Sequence, residues 1–202
     1  GKTELMIRAT LKALENNKQV AILAPTTVLV NQHLKTFISR LKNTPYICKS
    51  LSRFNVKSEQ KKTIHELKNH QCDCIIGTHR LLSKDIEFSD LGLLIIDEEQ
   101  RFGVKHKEII KSLKKNIDII YVSATPIPRT LYMSINTSKD LSLIQTPPIN
   151  RKPIHTIVKP HNTELIRHAI ETELKRNGQL FYVFNTIKDI HKKESEIKKI
   201  SP

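Results

Sequence analysis

The chain has 202 residues, enough to bury one full core, or one domain and part of another. Hydrophobic residues make up 38% and charged residues 27%, the balance of a soluble globular protein, and no apolar run approaches the roughly 20 residues that span a bilayer. With Lys+Arg 34 against Asp+Glu 20 the formal net charge is +14, which makes a polyanion such as nucleic acid the first partner to consider. Abundant Lys, Asn and Ile equally fit a lysine content inflated by genome composition and spread over solvated faces, so charge alone does not decide.

The chain opens at Gly1-Lys2-Thr3, with no initiator Met and no signal-peptide pattern, and is expected to be cytoplasmic. A helical pattern follows at once, with Met6, Ala9 and Ala13 at i, i+3 and i+7 and Asn16-Asn17 as its stop. The opening three residues look like the end of a phosphate-binding loop, G-x-x-x-x-G-K-[ST], whose strand and first glycine would lie upstream. In such a loop backbone N–H groups and a helix N-terminus cradle phosphates; the Lys reaches the β- and γ-phosphates and the Thr hydroxyl holds Mg²⁺. A bare Gly-Lys-Thr is a weak signal, and it gains weight only from an acidic strand end further along.

Strands and helices then alternate. Gln19 to Ala24 reads as a short apolar strand, and Pro25-Thr26-Thr27 turns it into a helix from about Val28 to Lys42. Tyr46 to Leu51 is the next strand, followed by a Ser52-Arg53-Phe54 loop and a charged helix from about Lys57 to Asn69 with Ile64 and Leu67 facing inward. Cys72 to Ile76 is a strand with Gly77-Thr78-His79-Arg80 at its C-terminal end. Cys72-x-Cys74 and a third cysteine offer neither a disulfide framework nor four-ligand zinc spacing, and read as reduced core thiols.

The stretch Leu91-Gly92-Leu93-Leu94-Ile95-Ile96-Asp97-Glu98-Glu99-Gln100 switches from an apolar run to three consecutive acids without a turn. It reads as a buried parallel strand delivering carboxylates at its C-terminal end, where open α/β sheets place their chemistry. Like charges at such a position resist desolvation unless a cation compensates them, and Mg²⁺ carried by a nucleotide is the obvious one. A strand ending in a solvated acidic turn is the plainer alternative. A basic helix near Lys105 to Lys115 follows, then a strand from Asp118 to Val122 leading into Ser123-Ala124-Thr125-Pro126.

This rhythm predicts βαβ units and a parallel sheet with helices on both faces, its strand-end loops sharing one edge. Thr26, Thr27, Thr78, His79, Arg80, Ser123 and Thr125 lie in those loops, small hydroxyl or cationic groups suited to phosphate contacts. Each is equally an ordinary cap or turn former.

Pro147-Pro148 through Pro153 reads as a stiff linker, dividing residues 1–146 from residues 154–202. Beyond it Ile154 to Val158 is expected as a strand, and Leu165, Ile166, Ala169, Ile170 and Leu174 as the apolar face of a helix ending at Gly178. Leu180 to Phe184 is expected as a buried strand, and Thr186 with Asp189 as a capping box for a last basic helix. A β-α-β-α piece of this size cannot close a sheet of its own, so this part is expected to be incomplete.

The order of the loops resembles the motor of superfamily 2 helicases and translocases. Gly1-Lys2-Thr3 is similar to the end of motif I, Ala24-Pro25-Thr26-Thr27 to motif Ia and Gly77-Thr78-His79 to motif Ib. Asp97-Glu98-Glu99-Gln100 is similar to motif II and Ser123-Ala124-Thr125-Pro126 to motif III. Within that superfamily Arg101-Phe102-Gly103-Val104-Lys105-His106-Lys107-Glu108 and Ala124-Thr125-Pro126-Ile127-Pro128-Arg129-Thr130-Leu131 resemble the bacterial transcription-repair coupling factors and the RecG-type fork-remodelling helicases. Ser52-Arg53-Phe54 favours the coupling factors, because RecG-type proteins usually carry a Gly-containing sequence there and a different tetrapeptide at motif II.

The resemblance implies a RecA-like P-loop NTPase lobe over residues 1–146, truncated in its P-loop, a linker at 147–153 and the beginning of a second RecA-like lobe at 154–202. It implies ATP and Mg²⁺ as cofactors, with Gly1, Lys2, Thr3, Asp97 and Gln100 at the nucleotide. Lys2 would neutralise the β- and γ-phosphates, Thr3 and Asp97 would position Mg²⁺, and Glu98 would orient and deprotonate the attacking water. Gln100 would couple this site to Ser123, Ala124 and Thr125, while Thr26, Thr27, Thr78, His79 and Arg80 would contact double-stranded DNA. The parent protein would push stalled RNA polymerase and recruit excision-repair proteins through regions outside this chain, and no membrane is implied. An arginine finger would come from missing parts of the second lobe, so this piece alone is expected to be nearly inactive.

Two other classes stay open at this point. A small-molecule kinase or metabolic ATPase leaves the ordered Thr-rich loops without a purpose, and a non-catalytic basic DNA-binding module leaves Asp97, Glu98 and Glu99 uncompensated.

Overall fold

The computed structural model describes residues 1–113, 117–124, 142, 144, 146 and 154–200. The chain divides into two compact units, Gly1–Ile149 and Asn150–Pro202. Among the described residues no helix is long and apolar enough to cross a membrane.

In the first unit five short strands alternate with helices. The strands are β1 (Gln19–Leu23), β2 (Cys48–Leu51), β3 (Cys74–Gly77), β4 (Leu91–Asp97) and β5 (Asp118–Val122). The helices are α1 (Lys2–Glu15), α2 (Thr27–Leu41), α3 (Lys57–Lys68) and α4 (Val104–Leu113). The strands form one sheet in the order β2-β3-β1-β4-β5, every pairing parallel. The two strands expected at Tyr46 and Cys72 each start two residues later, and Lys114 and Lys115 of the expected basic helix lie outside the described residues.

The period-2 geometry of the strands divides the core in two. Val20, Ile22, Cys74, Ile76, Leu93 and Ile95 face one way, covered by Met6, Ile7 and Leu14 of α1 and by Val30, Phe37 and Leu41 of α2. Ala21, Leu23, Ile75, Leu94 and Ile96 face the other way, covered by Leu67 of α3 and Ile110 of α4. Every residue of β1 and β3 is buried, which explains why these strands read as continuous apolar runs rather than as alternating ones.

A buried glutamine ties the start of β1 to its surroundings. Gln19 Nε2 donates to the carbonyls of Leu67 and Cys72 at 2.9 and 2.8 Å, and its Oε1 accepts from the Asp90 N–H at 3.0 Å, so the amide is satisfied out of water. The cysteines are free thiols, and burial pushes the Cys72 thiol up to about 12, far from thiolate at neutral pH.

The second unit contains α5 (Thr163–Lys175), a 3₁₀ turn at Ile187–Asp189 and α6 (Ile190–Ile200). The Asn162 side chain caps α5, accepting from the Glu164 and Leu165 N–H groups at 2.8 and 3.1 Å. At the other end the left-handed position falls on Asn177 (φ 55°) rather than on Gly178, whose N–H donates to the Glu173 carbonyl at 2.8 Å.

Three expectations for this unit are corrected. Ile154 to Val158 and Leu180 to Phe184 form no strands, and Phe181 and Val183 are 90% and 84% exposed. A strand needs a neighbour to pair its N–H and C=O groups, and this unit has no other strand among its described residues. Thr186 makes no side-chain capping bond and heads the 3₁₀ turn instead of a capping box. The Pro147 to Pro153 linker lies outside the described residues.

Candidate functional site

Because all five strands are parallel, their C-terminal ends share one edge. The registers Leu51↔Gly77, Leu23↔Gly77, Leu23↔Ile96 and Asp97↔Val122 align those ends from β2 across to β5. The loops carrying Thr26, Thr78, Glu98 and Ser123 therefore emerge side by side.

At the centre of this edge Asp97, the last residue of β4, is 5% exposed. Its Oδ2 sits 3.0 Å from Nε2 of His33 on α2. Its Oδ1 has no hydrogen-bond partner, and the Lys2 ammonium stands 3.6 Å away.

Glu98 then turns the chain. Four non-glycine residues among those described have positive φ; Asn17, His70 and Asn177 follow the ends of α1, α3 and α5, whereas Glu98 (φ 55°, ψ 57°) sits between β4 and a 3₁₀ turn. Backbone held in the left-handed region away from a helix end is a feature of functional sites. The turn leaves the Glu98 N–H donating to the Val122 carbonyl at 2.8 Å. Its carboxylate gathers four donors: Lys2 Nζ at 2.8 Å, the Ala124 N–H at 2.8 Å, the Ser123 hydroxyl at 3.1 Å and the Gln100 side-chain amide. Burial acts to raise its pKa, but bonds from Lys2, the Ala124 N–H and Gln100 outweigh it and hold the group at about 2. Glu98 is thus a firmly ionised carboxylate, and Ser123 and Ala124 of the next strand end are joined to it directly. Thr125 lies outside the described residues.

Gly1 precedes α1 and offers no side-chain cap, which leaves first-turn N–H groups open to an anion. Lys2 and the half-buried Thr3 occupy that first turn. No three His, Cys, Asp or Glu side chains converge as a metal cage among the described residues. Mg²⁺ ordinarily uses one or two protein oxygens together with phosphates and waters. The unbonded, buried Asp97 Oδ1 is an oxygen of that kind, and the Thr3 hydroxyl is the second candidate; the residues present fit a nucleotide-borne cation.

The other strand ends look different. The Thr26 side chain accepts from the Leu29 N–H at 3.3 Å as the cap of α2, and Thr27 is the first residue of that helix. Thr78 is 5% exposed. His79 is exposed, its ring centroid 5.3 Å from that of His106, which in turn meets Phe102 edge-on. Arg80 is held in a bidentate pair with Asp85 at 2.7 and 2.6 Å, which raises the guanidinium pKa and lowers that of the carboxylate. After β2, Arg53 lies over the ring of Phe54, which is 72% exposed.

Sequence reasoning missed His33. Its signal is a polar residue on a core-facing stripe, since Val30, His33, Phe37 and Leu41 are the buried positions of α2.

Comparison with known proteins bears on the fold and the family. A model of DEAD/DEAH box helicases matches residues 1–134. The chain is 53% identical over all 202 residues to the transcription-repair-coupling factor of Bacillus subtilis (strain 168), and 50% identical over the same length to that of Staphylococcus epidermidis (strain ATCC 12228). It spans 17% of the length of each of these relatives. Among solved structures it is similar to RecG bound to a three-way DNA junction, with a TM-score of 0.74 and 31% identity over 95% of this chain and 26% of that one. The fold is RecA-like, and with two thirds of its residues matched by one family model the chain belongs to the DEAD/DEAH box helicases.

Proposed function

We propose that this chain carries the ATP-binding part of a double-stranded DNA translocase, the motor of a transcription-repair coupling factor that acts on stalled RNA polymerase. In this reading residues 1–146 are the first RecA-like lobe, 147–153 the interlobe linker and 154–202 the start of the second lobe. RNA polymerase and excision-repair proteins engage regions outside this chain, in the cytoplasm. The observation that carries the proposal is the ionised Glu98 held by Lys2 and Ala124 beside the open Asp97 Oδ1.

Bound Mg²⁺ and ATP would supply the electrophilic phosphorus and its charge neutralisation. Lys2 now compensates Glu98 and Asp97 and is only partly exposed, so it is positioned to move to a phosphate by exchanging one anion for another. Asp97 Oδ1 and the Thr3 hydroxyl would hold the cation. Glu98, released from Lys2, accepts a proton from the attacking water, while Ser123, Ala124 and Gln100 keep its carboxylate aimed. The Ser123 and Ala124 contacts also tie the nucleotide side to the strand end after β5, the route by which hydrolysis would reach the DNA side. Thr26, Thr27, His79 and Arg80 provide the DNA-facing edge, and Thr78 shapes its floor.

RecG-type remodelling is the nearest alternative, and the higher identity to coupling factors, 53% against 31%, favours the coupling-factor reading. The deciding experiment gives the full-length protein two substrates, a transcription complex stalled on duplex DNA and a three-way junction. ATP-dependent release of the polymerase with little junction unwinding is the expected result. Junction unwinding without polymerase release would replace this reading by the RecG-type one.

A further inference from the structure

We propose that His33 is a positioning residue for the metal site, locking the Asp97 carboxylate so that Oδ1 faces the cation. The inference rests on the nucleotide-site reading above and adds a residue from a helix that carries none of the Mg²⁺ ligands. A carboxylate that ligates a cation can only accept hydrogen bonds, so in the proposed site the 3.0 Å contact is a His33 Nε2–H donating to Asp97 Oδ2. Both side chains are buried, 8% and 7% exposed, so water does not offer a substitute donor. With Oδ2 engaged, Oδ1 is left without a hydrogen bond; among the described residues the only other buried side-chain atom in that state is the Thr10 hydroxyl. A buried carboxylate oxygen with no hydrogen bond, met only by the Lys2 ammonium at 3.6 Å, is expensive, and a ligand explains its retention.

The imidazole is itself held. His33 lies on the buried stripe of α2 between Val30 and Phe37, which are 1% and 0% exposed. Its ring therefore has little freedom to leave Asp97. A histidine on the neighbouring helix that fixes a carboxylate ligand plays the part that outer-shell hydrogen bonds play at metal sites generally, where losing one weakens metal binding about 10- to 100-fold.

The test measures Mn²⁺ affinity by electron paramagnetic resonance on the full-length protein saturated with a non-hydrolysable ATP analogue. Four variants are compared: Asp97→Asn, His33→Leu, His33→Gln and His33→Asn. The Gln side chain can place an N–H near the Nε2 position, whereas Asn falls short. The proposal expects at least about a tenfold loss for His33→Leu and His33→Asn, and recovery to within about threefold of wild type for His33→Gln. Should His33→Leu fail to fold, judged by circular dichroism, the Gln and Asn pair decides alone. Equal affinities for that pair, whether both strong or both weak, would overturn the role of His33. Asp97→Asn separates the two levels of the account. Its loss of Mn²⁺ with His33 variants unaffected removes only this inference, whereas unchanged affinity in Asp97→Asn removes the metal site on which it stands.

Discussion

The two halves of the strand-end edge solve opposite problems. Around Glu98 every side chain is poised by charge: an ammonium, two N–H or O–H donors from the β5 end and a glutamine converge on one carboxylate. Around Thr26, Thr78 and Arg80 the side chains are spent on the protein itself, as a helix cap, a buried hydroxyl and an ion pair with Asp85. A nucleotide site must be organised before its ligand arrives, because preorganised electrostatics cost nothing at the moment of reaction. In the function proposed above, a track that slides over a polyanion would need contacts that form and break readily, and an arginine exchanging Asp85 for a phosphate would meet that need.

The largest test of this contrast is Glu98→Gln in the full-length protein. Nucleotide and Mg²⁺ binding should stay close to wild type while hydrolysis falls by about 10²- to 10⁴-fold, the usual contribution of a positioned base. Unchanged DNA-stimulated turnover would show that the charge cluster is structural.

Next in size is Gly77→Ala, at the floor of the other half. A Cβ there would overlap the Leu51 carbonyl oxygen and stand 2.7 Å from the Leu81 side chain, so β2 and the His79 turn must give way. Urea unfolding should show a loss of about 1–3 kcal/mol. An unaltered midpoint would mean that this edge is looser than the packing indicates.

Smaller still, Arg80→Ala should lower DNA-stimulated ATPase far more than joint replacement of Lys192 and Lys193 on α6, and should reduce the salt slope of DNA binding by about one contact. Equal effects at matched ionic strength would make the DNA side a diffuse basic surface. The smallest effect concerns acid. Glu98 is held at about 2 against an ordinary 4.5, so its stabilisation is fully present above about pH 4.5 and disappears as pH falls through about 2. The melting-temperature advantage of wild type over Glu98→Gln should be constant from pH 5 to 7 and should shrink below that, as calorimetry can follow. An advantage that grows on acidification would contradict the assigned ionisation.

Legibility from sequence followed the same division. Apolar runs ending in Asp97-Glu98-Glu99 identify a buried parallel strand and its acidic end because burial and charge are properties of the residues themselves. Which donors meet those acids is a matter of the sheet order, and β4 lies between β1 and β5 only in three dimensions. The pairing of His33 with Asp97 is illegible for that reason: the two are 64 residues apart and meet by the packing of α2. Arg80 and Asp85 are only five residues apart, yet their pairing depends on a 3₁₀ turn at His79–Leu82 that the Gly77-Thr78 strand end does not announce. Leu180 to Phe184 was misread in the other direction. Its composition is that of a buried strand, but composition cannot supply the neighbouring strand that pairing requires.

The central claim is that the Glu98 cluster drives movement along duplex DNA, and displacement of a third strand from a DNA triplex measures it most directly. The full-length protein should release the third strand with ATP, and neither with a non-hydrolysable analogue nor as Glu98→Gln with ATP. Release without hydrolysis, or ATP hydrolysis on duplex DNA with no release at all, would contradict the account.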